Sequence, residues 1–289
     1  MILGGYSFGT WLMFFYIYCF IGWCIESTYV SVFCEHRWVN RGFLFGPMLP
    51  IYGSGALTIL LSTLPVRDNI LLTGLVGMLT ATALEYLTGV VMEAIFKVRY
   101  WDYSKHRFNL QGHICLSSSL SWGVLSVLLV YVVHKPVEEL VSMIDPQVRK
   151  IALMAISVLF IVDVTRSISA ALDLKHLLAW LDDARGEMKK MQARMEEIEA
   201  QLAKEIRQRG EQLQESVKAH QEQLADGYQL KREQLQQELN NLKAHQELLK
   251  EWTAQRFGPD KRGLLRRNPG ALSRHYKEAL ERLRDWQKR

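Results

Sequence analysis

Long apolar runs separated by short polar breaks extend from Ser7 to about Leu172, and the pattern then inverts: from Asp173 to Arg289 the chain is rich in Gln, Glu, Lys and Arg. A bilayer core about 30 Å thick needs roughly 20 apolar residues of helix. Windows near that length with few charges fall at about Phe8–Phe33, Ile51–Leu64, Asn69–Ala94, Ser117–His134 and Val148–Leu172. They predict an all-α fold, a polytopic bundle of about five transmembrane helices over residues 1–175. The second window is short, but the segment before it, from Gly42 to Gly55, is itself apolar and full of helix breakers. It reads either as irregular backbone dipping into the membrane against protein or as a surface loop. The first run lacks a basic flank and a small-residue cleavage site, so it is expected to stay as an anchor.

The polar half has its own period. Gln-Leu recurs at 201–202, 212–213, 223–224 and 234–235, a spacing of eleven. An eleven-residue repeat has 3.67 residues per turn and predicts a nearly straight or slightly right-handed coil. From about Leu174 to Trp252 there is no proline, and a helix of that length would reach roughly 120 Å at 1.5 Å per residue. A seam that includes Ile198, Leu202, Ile206, Leu213, Val217, Leu224, Leu235 and Leu239 needs a partner, because an apolar stripe must be buried. Self-association into a parallel homo-oligomer is the simplest expectation for a cytoplasmic coiled coil over 176–252; docking on a different protein is the alternative.

The whole-chain mean hydropathy, near zero, is an average of these two halves, and the net charge of +5 hides a local excess. Residues 253–289 hold eleven Lys/Arg against four Asp/Glu. This basic tail, broken at Gly258-Pro259 and Asn268-Pro-Gly270 and followed by a short amphipathic helix, could take acidic proteins or nucleic acid. At the end of a straight coil it would lie far from the bilayer. The basic residues close to the last span place the C-terminal region in the cytoplasm, and five spans then put the N-terminus outside. Arg37, Arg41, Lys97, Arg99, Lys105 and Arg107 lie in the loops this orientation makes cytoplasmic, against Arg67, Lys135, Arg149 and Lys150 outside.

Cysteines 19, 24, 34 and 115 have no metal-ligand spacing and read as small hydrophobes; no metal or cofactor is expected. Charges within spans are costly, on the order of 2.5–3.5 kcal/mol each, and mark polar interiors. Glu26 lies in the first span, Glu85 and Glu93 in the third, Asp163 and Arg166 in the fifth. In the orientation above all occupy cytoplasmic halves, which predicts one shared polar cavity serving a ligand or a proton. Asp163 and Arg166, three apart, are placed to pair along one helix face. Glu85, Gly89 and Glu93 share a face whose glycine permits close helix approach. In the third loop, Asp102, Asn109 and His113 join Arg41 and Arg99 at the same end, a candidate pocket for an anionic group; its Trp and Tyr residues equally suit an interface belt.

Four stretches then stand out together: Gly22-Trp-Cys-Ile-Glu26; the run from Asn40-Arg-Gly through Pro50-Ile-Tyr-Gly-Ser-Gly55; Glu85-Tyr-Leu-Thr-Gly89; and Trp101-Asp-Tyr-Ser104 with 109–116. Their order and spacing over about residues 10–135 resemble the bacterial "putative ABC-transporter type IV" permease family. The resemblance implies a small multi-pass protein of the bacterial cell membrane acting as a permease of unassigned substrate. No GxxxxGKS/T phosphate loop is present, so ATP-driven transport would need a separate ATPase subunit. The expected function is a permease-like transport component; the alternative is an oligomeric membrane anchor whose coil recruits or spaces a cytoplasmic partner. An enzyme using Asp102 or His113 as acid or base lacks any nucleophile–base or metal pattern, and a non-enzyme is expected.

Overall fold

A computed structural model describes residues 2–213, 233, 234, 237, 241, 244, 248 and 251–288. A small hairpin, β1 (Ile2–Leu3) with β2 (Tyr6–Ser7), leads into α1 (Phe8–Tyr29), where the Ser7 hydroxyl accepts the Thr10 N–H at 3.2 Å as an N-cap. The helix continues as a π-helical turn over Val30–Cys34. After α2 (Pro50–Ser62), Asn69 caps α3 (Ile70–Phe96), which stops at Lys97 in the left-handed conformation. A second hairpin, β3 (Asn109–Leu110) with β4 (Ile114–Cys115), precedes α4 (Leu116–Leu128). A π-helical turn joins α4 to α5 (His134–Met143); α6 (Pro146–Leu213), α7 (Pro259–Arg267) and α8 (Lys277–Lys288) follow.

Among the described residues four helices are long and apolar enough to cross a membrane: Phe8–Cys34, Ile70–Phe96, Leu116–Met143 and the helix Pro146–Arg194. Their outward faces expose Leu71, Leu79, Val124, Leu159 and Ile161, as a bundle solvated by lipid does. Inside, Trp11, Phe14, Tyr18, Leu60, Val137 and Val141 form a core at the α1 N-terminal end. The fourth span runs on to Met143, beyond the expected His134, because α5 is amphipathic and buries Val137 and Val141 against that core.

The second of the five expected spans, Ile51–Leu64, is not a spanning helix. At 1.5 Å per residue the 13-residue α2 is about 20 Å long, short of the bilayer core. The bundle is nevertheless crossed here by a broken path. Phe43 packs on Phe96 at the end of α3, the Leu49 N–H donates to the Cys19 carbonyl midway along α1 at 3.0 Å, and Leu60 joins Trp11 near the α1 start. The irregular half, 40–49, is held inside the protein, with Leu44 and Leu49 buried. Its polar groups are met by side chains: Asn40 donates to the Phe45 carbonyl, the Arg41 N–H to Ser27, and the Phe45 and Gly46 N–H groups to Asp163. Irregular backbone at such depth needs this accounting; the surface-loop alternative is excluded.

The chain forms two compact units, Met1–His176 with Pro259–Arg289, and Leu177–Gly258. The C-terminal tail is therefore not a remote basic extension. Leu264, Leu265, Leu280 and Leu283 are buried within the first unit, and Leu272 and Arg99 exchange backbone hydrogen bonds of 2.7 and 2.9 Å. The tail's apolar positions, at 264, 265, 280 and 283, outweigh its charge.

In the second unit the rings of Trp180 and Trp252 lie 3.8 Å apart by centroid. One uninterrupted straight helix would hold them roughly 108 Å apart, so the expected rod of roughly 120 Å does not separate Trp180 from Trp252. Of the seam positions, Ile198, Leu202, Ile206 and Leu213 lie on α6; Val217, Leu224, Leu235 and Leu239 lie outside the described residues.

Candidate functional site

Where the second crossing changes from irregular chain to helix, the first unit encloses a cavity of about 220 Å³. Glu26 of α1, Arg41 of the irregular segment and Glu85 of α3 all line it, with Tyr52, Trp122 and Asn268. Close approach of α1 and α2 builds one wall. At Gly22 any Cβ would overlap Tyr52, so only glycine lets the ring lie against the α1 backbone. From there the Tyr52 hydroxyl donates to one Glu26 oxygen at 2.8 Å, while Arg41 Nε lies 3.4 Å from the other.

The remaining Arg41 donors are also engaged. Its Nη1 reaches Asn268 Oδ1 at 3.0 Å and the Arg267 carbonyl at 3.4 Å, and its Nη2 the Tyr100 carbonyl at 3.2 Å. Asn268, buried, donates in turn to the carbonyls of Gly42 and Leu264 at 2.9 and 3.0 Å. Glu85 accepts from the Tyr103 hydroxyl at 3.3 Å and Trp122 Nε1 at 3.1 Å. No basic nitrogen lies within 4.0 Å of Glu85 among the described residues, a contrast with Glu26. Tyr100 also lines the cavity, and among the described residues its buried hydroxyl has no hydrogen-bond partner. A second cavity, about 190 Å³ and apolar, shares Tyr52 and Trp122 with the first.

The other predicted residues lie elsewhere. Asp163 does not pair with Arg166: its two oxygens accept the Phe45 and Gly46 N–H groups at 2.9 and 2.8 Å. Two backbone donors that would otherwise be stranded in the bundle outbid a neighbouring guanidinium. Arg166 instead makes a two-pronged bond to Asp260 at 2.6 and 3.1 Å, which holds Asp260 below the usual carboxylate range, and lies over the Phe45 ring. Arg267 lies over the same ring, 3.9 Å from its centroid, and burial lowers its pKa to about 10.

Asp102, Asn109 and His113 gather around Arg99, not Arg41. Arg99 Nε lies 2.7 Å from Glu93, and Nη1 lies 3.2 Å from Asp102 and 2.7 Å from the Gln111 carbonyl. Burial opposes the Arg99 charge, but hydrogen bonds and charge from Glu93 and Asp102 outweigh it and raise its pKa. Burial likewise opposes the Asp102 charge, and hydrogen bonds from Ser104 and Arg99 reverse the effect and lower its pKa. Burial, then the Arg99 charge, lower the His113 pKa, and its Nε2 lies 3.1 Å from Glu93. Asn109 organises the loop, donating to the Ser104 and His106 carbonyls and accepting the Gly112 N–H. With Arg99 answered by two carboxylates, this group is no pocket for an anion. Gly89 serves this loop as well: its near neighbour is His113, not another helix.

Sequence reasoning missed Tyr52, Tyr100, Tyr103, Trp122 and Asn268. The aromatic residues carried a signal, since each lies in or beside a quoted motif or a span, but interface anchoring explained them equally well. Asn268 carried none, because the Asn-Pro-Gly it opens reads as a helix breaker.

A family model described as "Putative ABC-transporter type IV" matches residues 13–168. Comparison with curated proteins and with solved structures finds no match.

Proposed function

This chain belongs to the "Putative ABC-transporter type IV" family, and from that premise we propose that it is the membrane-embedded, permease-like component of a transport system. One observation carries the reading: Glu26, Arg41 and Glu85, from three separate segments, line one cavity at the point where a crossing element is broken. Transporters place binding sites at such discontinuous helices, where backbone and charge become available to a solute at membrane depth. The apolar second cavity behind Tyr52 and Trp122 offers a continuation across the bundle. The orientation with the C-terminal region in the bacterial cytoplasm puts the Glu26–Arg41–Glu85 cavity on the cytoplasmic side, and energy from ATP would come from a separate subunit.

The test is flux. Vesicles containing the full-length chain and loaded with isotope-labelled small solutes from a cell extract are expected to release a defined subset, read by mass spectrometry. Glu85→Gln should reduce that release at least tenfold; equal release from the unaltered chain and from protein-free vesicles, or from the unaltered chain and the variant, would sink the reading.

A second reading, an anchor whose coiled coil recruits or spaces a cytoplasmic partner as a homo-oligomer, is favoured by the Leu177–Gly258 unit. The two separate cleanly by surgery. Because the Trp180 and Trp252 rings meet, residues 181–251 are replaceable by a short Gly/Ser linker, whose closure entropy is small. Retaining 259–289 keeps the first unit whole. Flux and the unfolding midpoint of the first unit are expected to survive this excision; if flux survives and co-purifying proteins vanish, the excised unit serves recruitment, and loss of flux with the midpoint intact would assign it to transport.

A further inference from the structure

We propose that the cavity at the broken crossing binds a small organic cation, held by the Glu85 carboxylate and the aromatic rings around it. The proposal rests on the transport reading for its physiological role and supplies that reading's substrate class. Charge is the first argument. Of the three charged residues lining the cavity, Glu26 and Arg41 are paired at 3.4 Å, which leaves the Glu85 charge unbalanced. The hydroxyl of Tyr103 and the indole N–H of Trp122, which donate to it, are neutral: they support an anion without cancelling it. A buried carboxylate without a cation is costly, and a bound cation removes that cost.

Ring geometry is the second argument. Phe43, Tyr52, Tyr100, Trp101, Tyr103 and Trp122 contribute to the same lining. Aromatic faces attract cations electrostatically, most strongly when water is excluded, and cages of such rings recognise alkylated ammonium groups. An anion finds no such welcome. Every nitrogen of Arg41 is already bonded. The positive N-terminal end of α2 is answered by Glu26, which accepts the Tyr52 hydroxyl from its first turn. The size, about 220 Å³, suits a compact ammonium compound.

The experiment uses the full-length chain in detergent, with titration calorimetry and thermal unfolding. Choline is the probe; 3,3-dimethylbutan-1-ol, its uncharged isostere, controls for shape, and sodium acetate controls for charge sign. Choline is expected to bind saturably and raise the unfolding midpoint, with affinity at least tenfold above the isostere. Glu85→Gln should remove that preference, and Trp122→Phe, which keeps a ring and loses the N–H, should weaken choline several-fold. Equal binding of choline and its isostere, binding of acetate instead, or no saturable choline binding to the unaltered chain overturns the proposal, whichever variants fold. Choline binding without flux in vesicles would leave the site standing and remove the transport reading. Flux that depends on Glu85 in a chain blind to choline would do the reverse.

Discussion

Arg99→Met is expected to destabilise the first unit by about 3–5 kcal/mol, the range for breaking a buried ion pair from one side, and to expose residues 259–288 to trypsin. The guanidinium is 3% exposed and meets Glu93, Asp102 and the Gln111 carbonyl at once. The thioether fills the space but leaves two carboxylates, 15% and 14% exposed, without a cation. Release of the tail follows from position. The Arg99 backbone pairs with Leu272, Ser273 donates to the Lys97 carbonyl at 2.6 Å, and Arg274 donates to Gln111 at 3.2 Å, all on the loop that Arg99 pins. Acid should dissect the effect. The folded Asp102 pKa lies below its ordinary value near 3.8, so the unfolded chain binds its proton first and stability falls with pH. That contribution is complete above the ordinary value and is lost as pH drops through the lowered one. In Arg99→Met the acid-dependent loss should shrink. Unchanged trypsin resistance and an unchanged acid limb would show that Arg99 does not hold the tail.

Gly22→Val should cost the fold about 1–3 kcal/mol by overpacking and reduce flux at least tenfold. The added atoms fall within the Tyr52 side chain, and a ring pressed outward loses its 2.8 Å bond to Glu26 and its place beside Trp122. Tyr52→Phe isolates the chemical part: packing stays, only the hydroxyl goes, and stability should drop by about 0.5–1.5 kcal/mol with a smaller loss of flux. Gly186→Ala is the control, since a Cβ there meets nothing within 4 Å and alanine favours helix by about 1 kcal/mol. Equal damage from the Gly22 and Gly186 substitutions, in unfolding midpoint and flux, would rule out close approach as the reason for Gly22.

Hydropathy placed the ends of the first and third expected spans close to the observed helix ends, because lipid and protein reward apolar side chains alike on a helix that satisfies its own backbone; it stopped short of Met143 and of the part of α6 beyond Leu172, where the helix continues with amphipathic or polar sequence. The second crossing was harder to read. Glycine and proline between 42 and 55 announced irregular chain, yet only the Leu49 bond to Cys19 and the Asp163 bonds to Phe45 and Gly46 reveal it as the interior half of a broken crossing. Depth along the chain also explains the partial grouping of charges. Glu26 and Glu85 face inward at similar depth and reach one cavity with Arg41. Asp163 and Arg166 share that depth but not that partner, because local spacing says which side chains are adjacent and nothing of which backbone donors compete for them. The tail was misjudged for a related reason. Its contacts, such as Asn268 to Gly42 at a separation of 226 residues, have no trace in periodicity, while its charge is visible at once.

The wall that Asn268 completes also sets an order of events during synthesis. The first unit is assembled from two stretches of chain with 177–258 between them. At roughly 5–20 residues per second, the ribosome needs several to about twenty seconds after Leu172 emerges before the last stretch follows. Throughout that interval Arg41 and the Gly42 carbonyl lack their Asn268 partner, and the spans wait in the bilayer with one wall missing. A nascent chain is therefore membrane-inserted well before these bonds can form, and quality control that recognises unsatisfied polar groups within the membrane has a defined time in which to act.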